Sequence, residues 1–421
     1  MRATTLLNRL LALAGIRVLG VSVAGDTVVV DVGLRRRKLV CPLCEFSTSN
    51  RHDTRRVESS WRHLDLGRWR VLLRARLRRV CCPTHGVRVE GVPFARHRSG
   101  FTRDFEDLAA YLATKTDKTA ICRLLRIDWD TVGRIGERVV ADGLDPDRLD
   151  GLVEIGVDEV SWKRQHNYIT LVTDHRRGRI VWGAEGKDTA TMNAFFADLG
   201  AKRAAQLEAV SMDMGPAYAK SVAGSKDGKT KGHAPQATIC IDPYHAVAKV
   251  TEALDKVRRK EWNKLRKIDP DKARKFKGAR WVLLKRATKL TDDQQATLRK
   301  FRRRGGIIWR AYRLSEAFRA IFAGDLSADQ TEELLDRWIS KASRSGIDEF
   351  VKVARTIRTH RDGILAAIGL GINNGRAEGL NNIVRLITRR AFGFHSAGAA
   401  LGLIMLTCGP IKLVLPHERS P

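Results

Sequence analysis

Two short apolar runs each close on an aspartate. "GLVEIGVDEV" (151–160) reaches Asp158, and "LEAVSMDMG" (207–215) reaches Asp213. Between them lie two further short apolar runs, "NYITLVTD" and "GRIVWGAEG", and then a helical stretch, "DTATMNAFFADLG", which opens on Asp-Thr and closes on Gly. A fifth apolar run, "ATICIDPYH", follows Asp213. Strands and a helix alternating in this order predict a mixed α/β layer. Taken singly, a strand-end Asp is most often a turn or cap residue; the repeated placement is what constrains the fold.

A third carboxylate stands far downstream. In "INNGRAEGLNN" (372–382), Glu378 is the one acid among small and amide residues, with Arg376 inside the stretch and Arg385, Arg389 and Arg390 after it. Two strand-end Asp residues followed by a helical Glu are the layout of an RNase H-like nuclease fold. The chemistry gives the reason. Phosphodiester cleavage uses two divalent ions about 3.5–4 Å apart, and hard carboxylate oxygens suit Mg²⁺. Asp158 would bridge two Mg²⁺ ions, with Asp213 and Glu378 each holding one. The small neighbours of Glu378 leave room for DNA, and the arginines can meet phosphates. Glu159, next to Asp158, is expected on the opposite sheet face in a structural role.

Lys and Arg number 77 against 47 Asp and Glu, a net charge of +30. Such an excess repels itself in a compact fold and implies a polyanionic partner. The basic residues are spread along the chain and not gathered beside an amphipathic anchor, so nucleic acid is favoured over a membrane surface. The apolar stretch "AGAALGLIMLTC" (397–408) is too short for a bilayer core of about 30 Å and reads as a buried helix. The N-terminus lacks the three-part layout of a signal peptide, so a cytoplasmic, nucleoid-associated protein is expected.

Seven cysteines are too few and too uneven for a disulfide scaffold. Cys122, Cys240 and Cys408 sit in apolar contexts and are expected in cores. The other four suggest a structural Zn²⁺ site. Cys41-Pro-Leu-Cys44 places two thiolates on one tight turn, and "VCCPTHG" (80–86) offers Cys82 and His85, with Cys81, His52 and His63 as substitutes. Four protein ligands would leave no open position. The surrounding residues, including "VLGVSVAGDTVVVDVG" (18–33) with its Gly-Asp turn, predict strands. Residues 102–140 read as three helices with a turn near Arg126-Ile127-Asp128, a helix-turn-helix pattern in which Asp128 would cap the last helix. Its first residues, Trp129, Asp130, Thr131 and Arg134, would then face the major groove.

Residues 258–304 contain 19 Lys or Arg against 5 Asp or Glu, with Trp262 and Trp281 interleaved and Trp309 adjacent. A surplus this one-sided predicts a helical insertion that grips DNA backbone in a salt-sensitive, sequence-independent way.

The chain resembles the DDE transposases of bacterial insertion sequences, and most closely the ISL-three family. The matching stretches are "GVDEVSWKR", "SMDMGPAY", "IDPYHAV" and "NNGRAEGLNNIVRLITRRAFGFHSAG", with "CPLC", "RRVCCPTHG" and the trihelical segment. The second cysteine cluster departs from the family's two spaced cysteines, which leaves the fourth zinc ligand open among Cys81, Cys82 and His85. The resemblance implies a catalytic triad of Asp158, Asp213 and Glu378. It also implies supporting roles for Asp242 and His245, with Asp242 a rival second metal ligand. It further implies recognition of the element's terminal inverted repeats in double-stranded DNA, transfer of a strand to target DNA, and a homodimer or larger assembly on DNA. The expected organisation is multidomain α/β. A zinc-binding β-rich domain (1–98) and a helix-turn-helix (99–148) precede an RNase H-like core (149–255). A basic helical insertion (256–365) follows, and then the final core helices carrying Glu378 (366–421). The alternatives are a DNA-binding regulator derived from such an enzyme, which would lack a carboxylate, and a stand-alone nuclease, which would not need the N-terminal modules.

Overall fold

The structure, a computed structural model, describes residues 2–419 apart from 164–166, 226, 323, 325, 373 and 374; the side chains of residues 275 and 375–378 also lie outside the described set. The chain divides into two units. The first comprises Met1–Arg148, Trp162–His166 and Ile383–Pro421, and the second Leu149–Ser161 and Asn167–Asn382.

In the first unit a four-stranded sheet runs in the spatial order Ile16–Ala24, Thr27–Leu34, Trp69–Ala75, Ser59–Leu66. Ala24 pairs with Thr27 across a two-residue turn whose Gly25 has φ +60°, the left-handed conformation that the predicted Gly-Asp turn supplies. Alternate residues of these strands, among them Val18, Val30, Val32, Trp61, Val71 and Leu73, form one core with Leu7 and Leu11 of the first helix. Phe94 meets Trp61 edge to face at 5.1 Å.

Three helices follow, Arg103–Lys115, Lys118–Leu125 and Trp129–Gly143. Thr102 and Asp117 cap the first two by accepting from the backbone N–H groups of Phe105 and Ala120. The predicted turn is present, with Arg126 left-handed at φ +53°. Asp128 stands at the N-cap of the third helix, but its side chain makes no capping hydrogen bond, unlike the expectation.

The expected final module, 366–421, is divided. The apolar helix Ala397–Cys408 is buried as predicted, but it packs in the first unit, on the helices Trp129–Gly143 and Arg103–Lys115. Glycines explain how. A Cβ added at Gly133 would lie 2.3 Å from His395 Cε1, and one at Gly402 would lie 3.2 Å from the Glu137 backbone nitrogen. Ser396 caps this helix and donates to Glu137 at 3.0 Å. A fourth helix thus completes the core of the helix-turn-helix.

The second unit is built on a five-stranded sheet in the order Arg179–Glu185, Asn167–Asp174, Glu154–Lys163, Ala209–Met212, Thr238–Ile241. The first pair is antiparallel, whereas Glu154–Lys163, Ala209–Met212 and Thr238–Ile241 run parallel. Buried on both faces, the central strands read as continuous apolar runs. The helix Thr189–Leu199 is capped by Asp188 and inserts Met192, Phe195 and Phe196 into the core.

The basic segment is helical, as expected, from Pro243–Ile268 through Arg361–Gly369. It forms no separate core: Val250, Leu254, Phe318, Trp338 and Phe350 join the same cluster as Ile155 and Val210. Trp262 donates to Ala273 O at 3.1 Å and Trp309 stacks on Tyr312, so of the three tryptophans only Trp281 is exposed. Among the described residues no helix is long and apolar enough to cross a membrane.

One charged cluster holds the helix-turn-helix together. Arg96 is 9% exposed and reaches Glu106 (3.2 Å), Asp107 (2.6 Å) and Asp142 (3.0 Å), two of them buried. Its loss would take one buried partner from each carboxylate, and each keeps a second: Arg138 for Glu106, Arg419 for Asp107 and Arg103 for Asp142. Arg96→Ala is therefore expected to destabilise the first unit by about 1.5–3 kcal/mol, read as a lowered thermal transition; an unchanged transition would refute the role given to Arg96.

Candidate active site and metal cluster

The register between Glu154–Lys163 and Ala209–Met212 pairs Ile155 with Val210 and Gly156 with Ser211. Continued by two residues, it brings Asp158 abreast of Asp213 on neighbouring parallel strands about 4.8 Å apart; Asp213 stands just past the end of Ala209–Met212, whereas Asp158 lies midway along Glu154–Lys163 and not at a strand end as the sequence suggested. Both line one cleft, together with His245, Asn381, Thr173 and Ser211. Beneath them His175 is buried and hydrogen-bonded to Ser211 at 2.7 Å. A Cβ at Gly156 would lie 2.8 Å from His175 Nε2, so the glycine makes space for this layer.

Both oxygens of Asp158 are engaged. Oδ1 accepts from the Glu159 N–H at 2.8 Å and Oδ2 from Asn381 Nδ2 at 2.5 Å. Burial raises its pKa, and the Asp213 charge raises it further; the Glu159 N–H, His245 and Asn381 oppose the rise without cancelling it. Asp213 accepts from the Gly215 N–H at 2.7 Å, a local turn that leads into the helix Pro216–Ala223.

Glu159 is not remote from this pair. It accepts from the Tyr218 hydroxyl at 3.4 Å, and burial followed by the charges of Asp213 and Asp158 raises its pKa. Asp242 caps the helix Pro243–Ile268 through the Tyr244 N–H at 2.8 Å and lies 3.7 Å from His245 Nε2. Its carboxylate is buried in these contacts, and it is His245 that reaches the cleft.

Glu378 and Arg376 belong to the helix Gly375–Arg390, but their side chains lie outside the described residues. Asn381, three positions on from Glu378, ties this helix to Asp158. Sequence reading did not single out Asn381; its signal was the spacing of one helical turn from Glu378.

Arg385 and Arg389 are exposed. Arg390 has another job: its guanidinium donates to the carbonyls of Ala113 (3.3 Å), Thr114 (2.7 Å) and Lys115 (3.1 Å), the open end of Arg103–Lys115. At the start of the third helix, Arg134 is exposed and donates to Thr131. Trp129 is half-buried, with the Lys118 ammonium 3.7 Å from its ring centre. Burial lowers the Lys118 pKa.

Elsewhere in the first unit, Cys41, Cys44, Cys82 and His85 place their ligand atoms within 4.8 Å of one another. Cys44 Sγ lies 3.6 Å from Cys82 Sγ, and His85 Nδ1 lies 3.5 Å from Cys82 Sγ and 3.7 Å from Cys41 Sγ. Two turns create the cluster. Cys41 N–H bonds Phe46 O at 2.9 Å, and the hairpin closing Cys82 on Gly86, at φ +69°, folds His85 back. Cys81 alternates to the exposed side of its strand. His63 is buried on Thr102 at 2.9 Å, and His52 is exposed beside Asp53. Desolvation raises the Cys82 thiol, but the His85 N–H and ring and the Thr84 N–H bring it down to about 6, favouring the thiolate that binds metal. Of the cysteines expected in cores, Cys240 and Cys408 are buried and Cys122 half-buried.

Comparison with known proteins decides the family. Residues 155–399 match the family model described as "Transposase", DDE_Tnp_ISL3, and residues 90–140 match the helix-turn-helix domain of transposase family ISL3. The chain belongs to the ISL3 family of transposases. It is 41% identical, over 94% of its length and 92% of the relative's, to the transposase for insertion sequence element IS1557 of Mycobacterium tuberculosis. It is 27% identical, over 88% of its length and 89% of the relative's, to the transposase for insertion sequence element IS1001 of Bordetella parapertussis. No solved structure matches.

The Cys₃His cluster makes a prediction for this ISL3 protein. Purified under reducing conditions, it is expected to carry about one thiolate-bound divalent ion per chain by elemental analysis. Cys82→Ser is expected to release the ion and lower the melting of the first unit; undiminished metal content would remove Cys82 from the ligand set.

Proposed function

We propose that this ISL3 transposase binds the terminal inverted repeats of its own element and cuts and joins DNA with Asp158, Asp213 and Glu378 as its catalytic carboxylates. The observation that carries this reading is the juxtaposition of Asp158 and Asp213 on adjacent parallel strands, lining one cleft. The tie from Asp158 to Asn381, one turn past Glu378, supports it. We read the second unit as RNase H-like: in chain order its strands stand 3-2-1-4-5 across the sheet, with the antiparallel pair at one edge.

Two carboxylates in one cleft fit a hard cation, and burial with a like charge beside Asp158 makes the pair cost stability unless a cation compensates it. Two Mg²⁺ ions held there would activate the attacking oxygen and stabilise the leaving one. Water attacks the phosphorus at the element boundary, the P–O3′ bond breaks, and a 3′-hydroxyl and a 5′-phosphate result. That hydroxyl then attacks a target phosphorus, forming one P–O3′ bond and breaking another, so no protein–DNA bond is needed. His245, held by Asp242, stands at the cleft to meet the scissile phosphate.

The helix-turn-helix, with Trp129, Thr131 and Arg134 leading its third helix, reads the terminal repeat, while Arg376, Arg385 and Arg389 contact backbone. We assign Zn²⁺ to Cys41, Cys44, Cys82 and His85. A tetrahedral zinc with bonds of about 2.3 Å to sulfur and about 2.0 Å to nitrogen spaces its ligands by about 3.6–3.8 Å, close to the 3.5–3.7 Å found. Four protein ligands make the site structural. Two element ends must meet, so a homodimer or larger assembly on DNA, in the cytoplasm at the nucleoid, completes the reading.

The test is cleavage of a duplex carrying the element's end, at low salt with Mg²⁺. Asp158→Ala, Asp213→Ala and Glu378→Ala are expected to abolish cleavage while retaining binding. Asn381→Ala is expected to lower it about 10–100-fold and to raise the Mg²⁺ needed for half-maximal rate. Wild-type protein that binds without cutting, indistinguishable from all three Ala variants, would make the chain a DNA-binding regulator instead.

A further inference from the structure

The first unit contains an open groove of about 880 Å³ between the four-stranded sheet, the cysteine-rich hairpin and the loop leading into Arg103–Lys115. Its charge is lopsided once ion pairs are accounted for. Glu90 is buried on Arg78, Asp142 is held by Arg96 and Arg103, and Glu58 faces Arg74 and Arg76. The remaining guanidiniums are Arg55, Arg88 and Arg98, which are exposed, and Arg36, which is half-buried and donates to the Gly91 carbonyl; among the described residues none has a carboxylate within ion-pair distance. Arg55 and Arg88 make only neighbouring hydrogen bonds, to Ser59 and to the Val87 carbonyl.

Arg98 adds a second, independent sign. It holds φ +58°, a left-handed conformation that costs a non-glycine residue strain, and such outliers cluster at binding sites. The conformation closes the 96–99 turn, in which Ser99 N–H bonds Arg96 O at 3.1 Å. Burial, then the charges of Arg98 and Arg88, lowers the His97 pKa, so the exposed imidazole stands mainly neutral beside the two guanidiniums. The floor between them is apolar, formed by Val89, Val92 and Pro93.

We propose that this groove holds the sugar–phosphate backbone of DNA beside the site read by the helix-turn-helix. Guanidiniums would meet successive phosphates, and the apolar floor would pack against deoxyribose. The groove runs up to Arg103, the first residue of the helix Arg103–Lys115, and much of its lining lies within the matched helix-turn-helix domain, so a duplex bound there continues past it. The partner follows from this chain's membership of a DNA-acting family, and the site extends the proposed terminal-repeat recognition. It contributes affinity and register but no sequence preference.

The experiment measures binding of the full-length protein to an element-end duplex and to a scrambled duplex across a salt series. The proteins are wild type, Arg88→Gln, Arg98→Gly and the double variant. Glycine retains the left-handed backbone at position 98 without the guanidinium, and both sites are exposed, so melting temperatures should match wild type. Each lost phosphate contact removes about 0.9 from the slope of log K against log salt, so the double variant should lose about 2. The end-to-scrambled affinity ratio should stay within about twofold of wild type, because backbone contacts are sequence-independent. Phosphate-ethylation interference should weaken at phosphates flanking the helix-turn-helix footprint. An unchanged slope, or a lost ratio, would overturn the groove assignment. If wild type itself prefers neither duplex, terminal-repeat recognition fails, while the slope comparison still decides the groove.

Discussion

The second unit is organised around two like charges held side by side. Parallel pairing of Glu154–Lys163 with Ala209–Met212 leaves Asp158 and Asp213 at a spacing that the backbone fixes. Burial of Asp158 is the larger cost, and the like charge of Asp213 adds to it. The surroundings reduce it piecemeal. Asp158 takes a backbone N–H and the Asn381 amide, Asp213 takes the Gly215 N–H, and His245 adds partial compensation. Neighbouring choices follow from the same constraint. Gly156 clears space for His175, His175 is fixed by Ser211, and Asp242 is spent holding His245 in place of approaching the pair.

The C-terminal sequence does two kinds of work that its composition does not separate. Asn381 donates to the Asp158 carboxylate, whereas Arg390, on the same helix, closes the end of Arg103–Lys115. The apolar helix that follows completes the helix-turn-helix through Gly133, which leaves room for the His395 side chain, and Gly402, which lets its helix approach the backbone at Gly136 and Glu137. A three-helix module this small buries little apolar surface, and the fourth helix enlarges its core. Arg96 then locks the module to its preceding loop through buried carboxylates.

What was legible in the sequence was local. A Gly-Asp hairpin turn, a Cys-Pro-Leu-Cys turn and a helix boundary at Arg126 each follow from a few adjacent residues, and the structure places all three as expected; Asp213 also closes its strand, but the strand through Asp158 runs on to Lys163. Even the choice between Cys81 and Cys82 follows from strand alternation once the register is known. What was not legible depends on partners far along the chain. Nothing near Arg390 indicates that it will meet the carbonyls of 113–115, and nothing near Val250 or Phe318 indicates that the basic helices share the core of the sheet. Trp262 and Trp309 read as candidate stacking residues because they interrupt a basic run, yet their contacts are internal.

The same distinction sorts the charge. A net +30 says only that a polyanion is near. Arg78, Arg79 and Arg96 are consumed by Glu90, Asp53 and the Glu106 cluster, so they hold the fold and would be poor phosphate ligands. Arg385, Arg389 and the groove residues Arg55, Arg88 and Arg98 remain exposed, with no carboxylate in reach among the described residues. Only such uncompensated cations can release counterions from DNA, and the excess charge acts through them. At physiological salt their field fades over about 8 Å, so each exposed cluster acts on the phosphates directly beside it. DNA binding by this chain is thus a sum of separate local contacts, and each can be removed without dissolving the core that presents it.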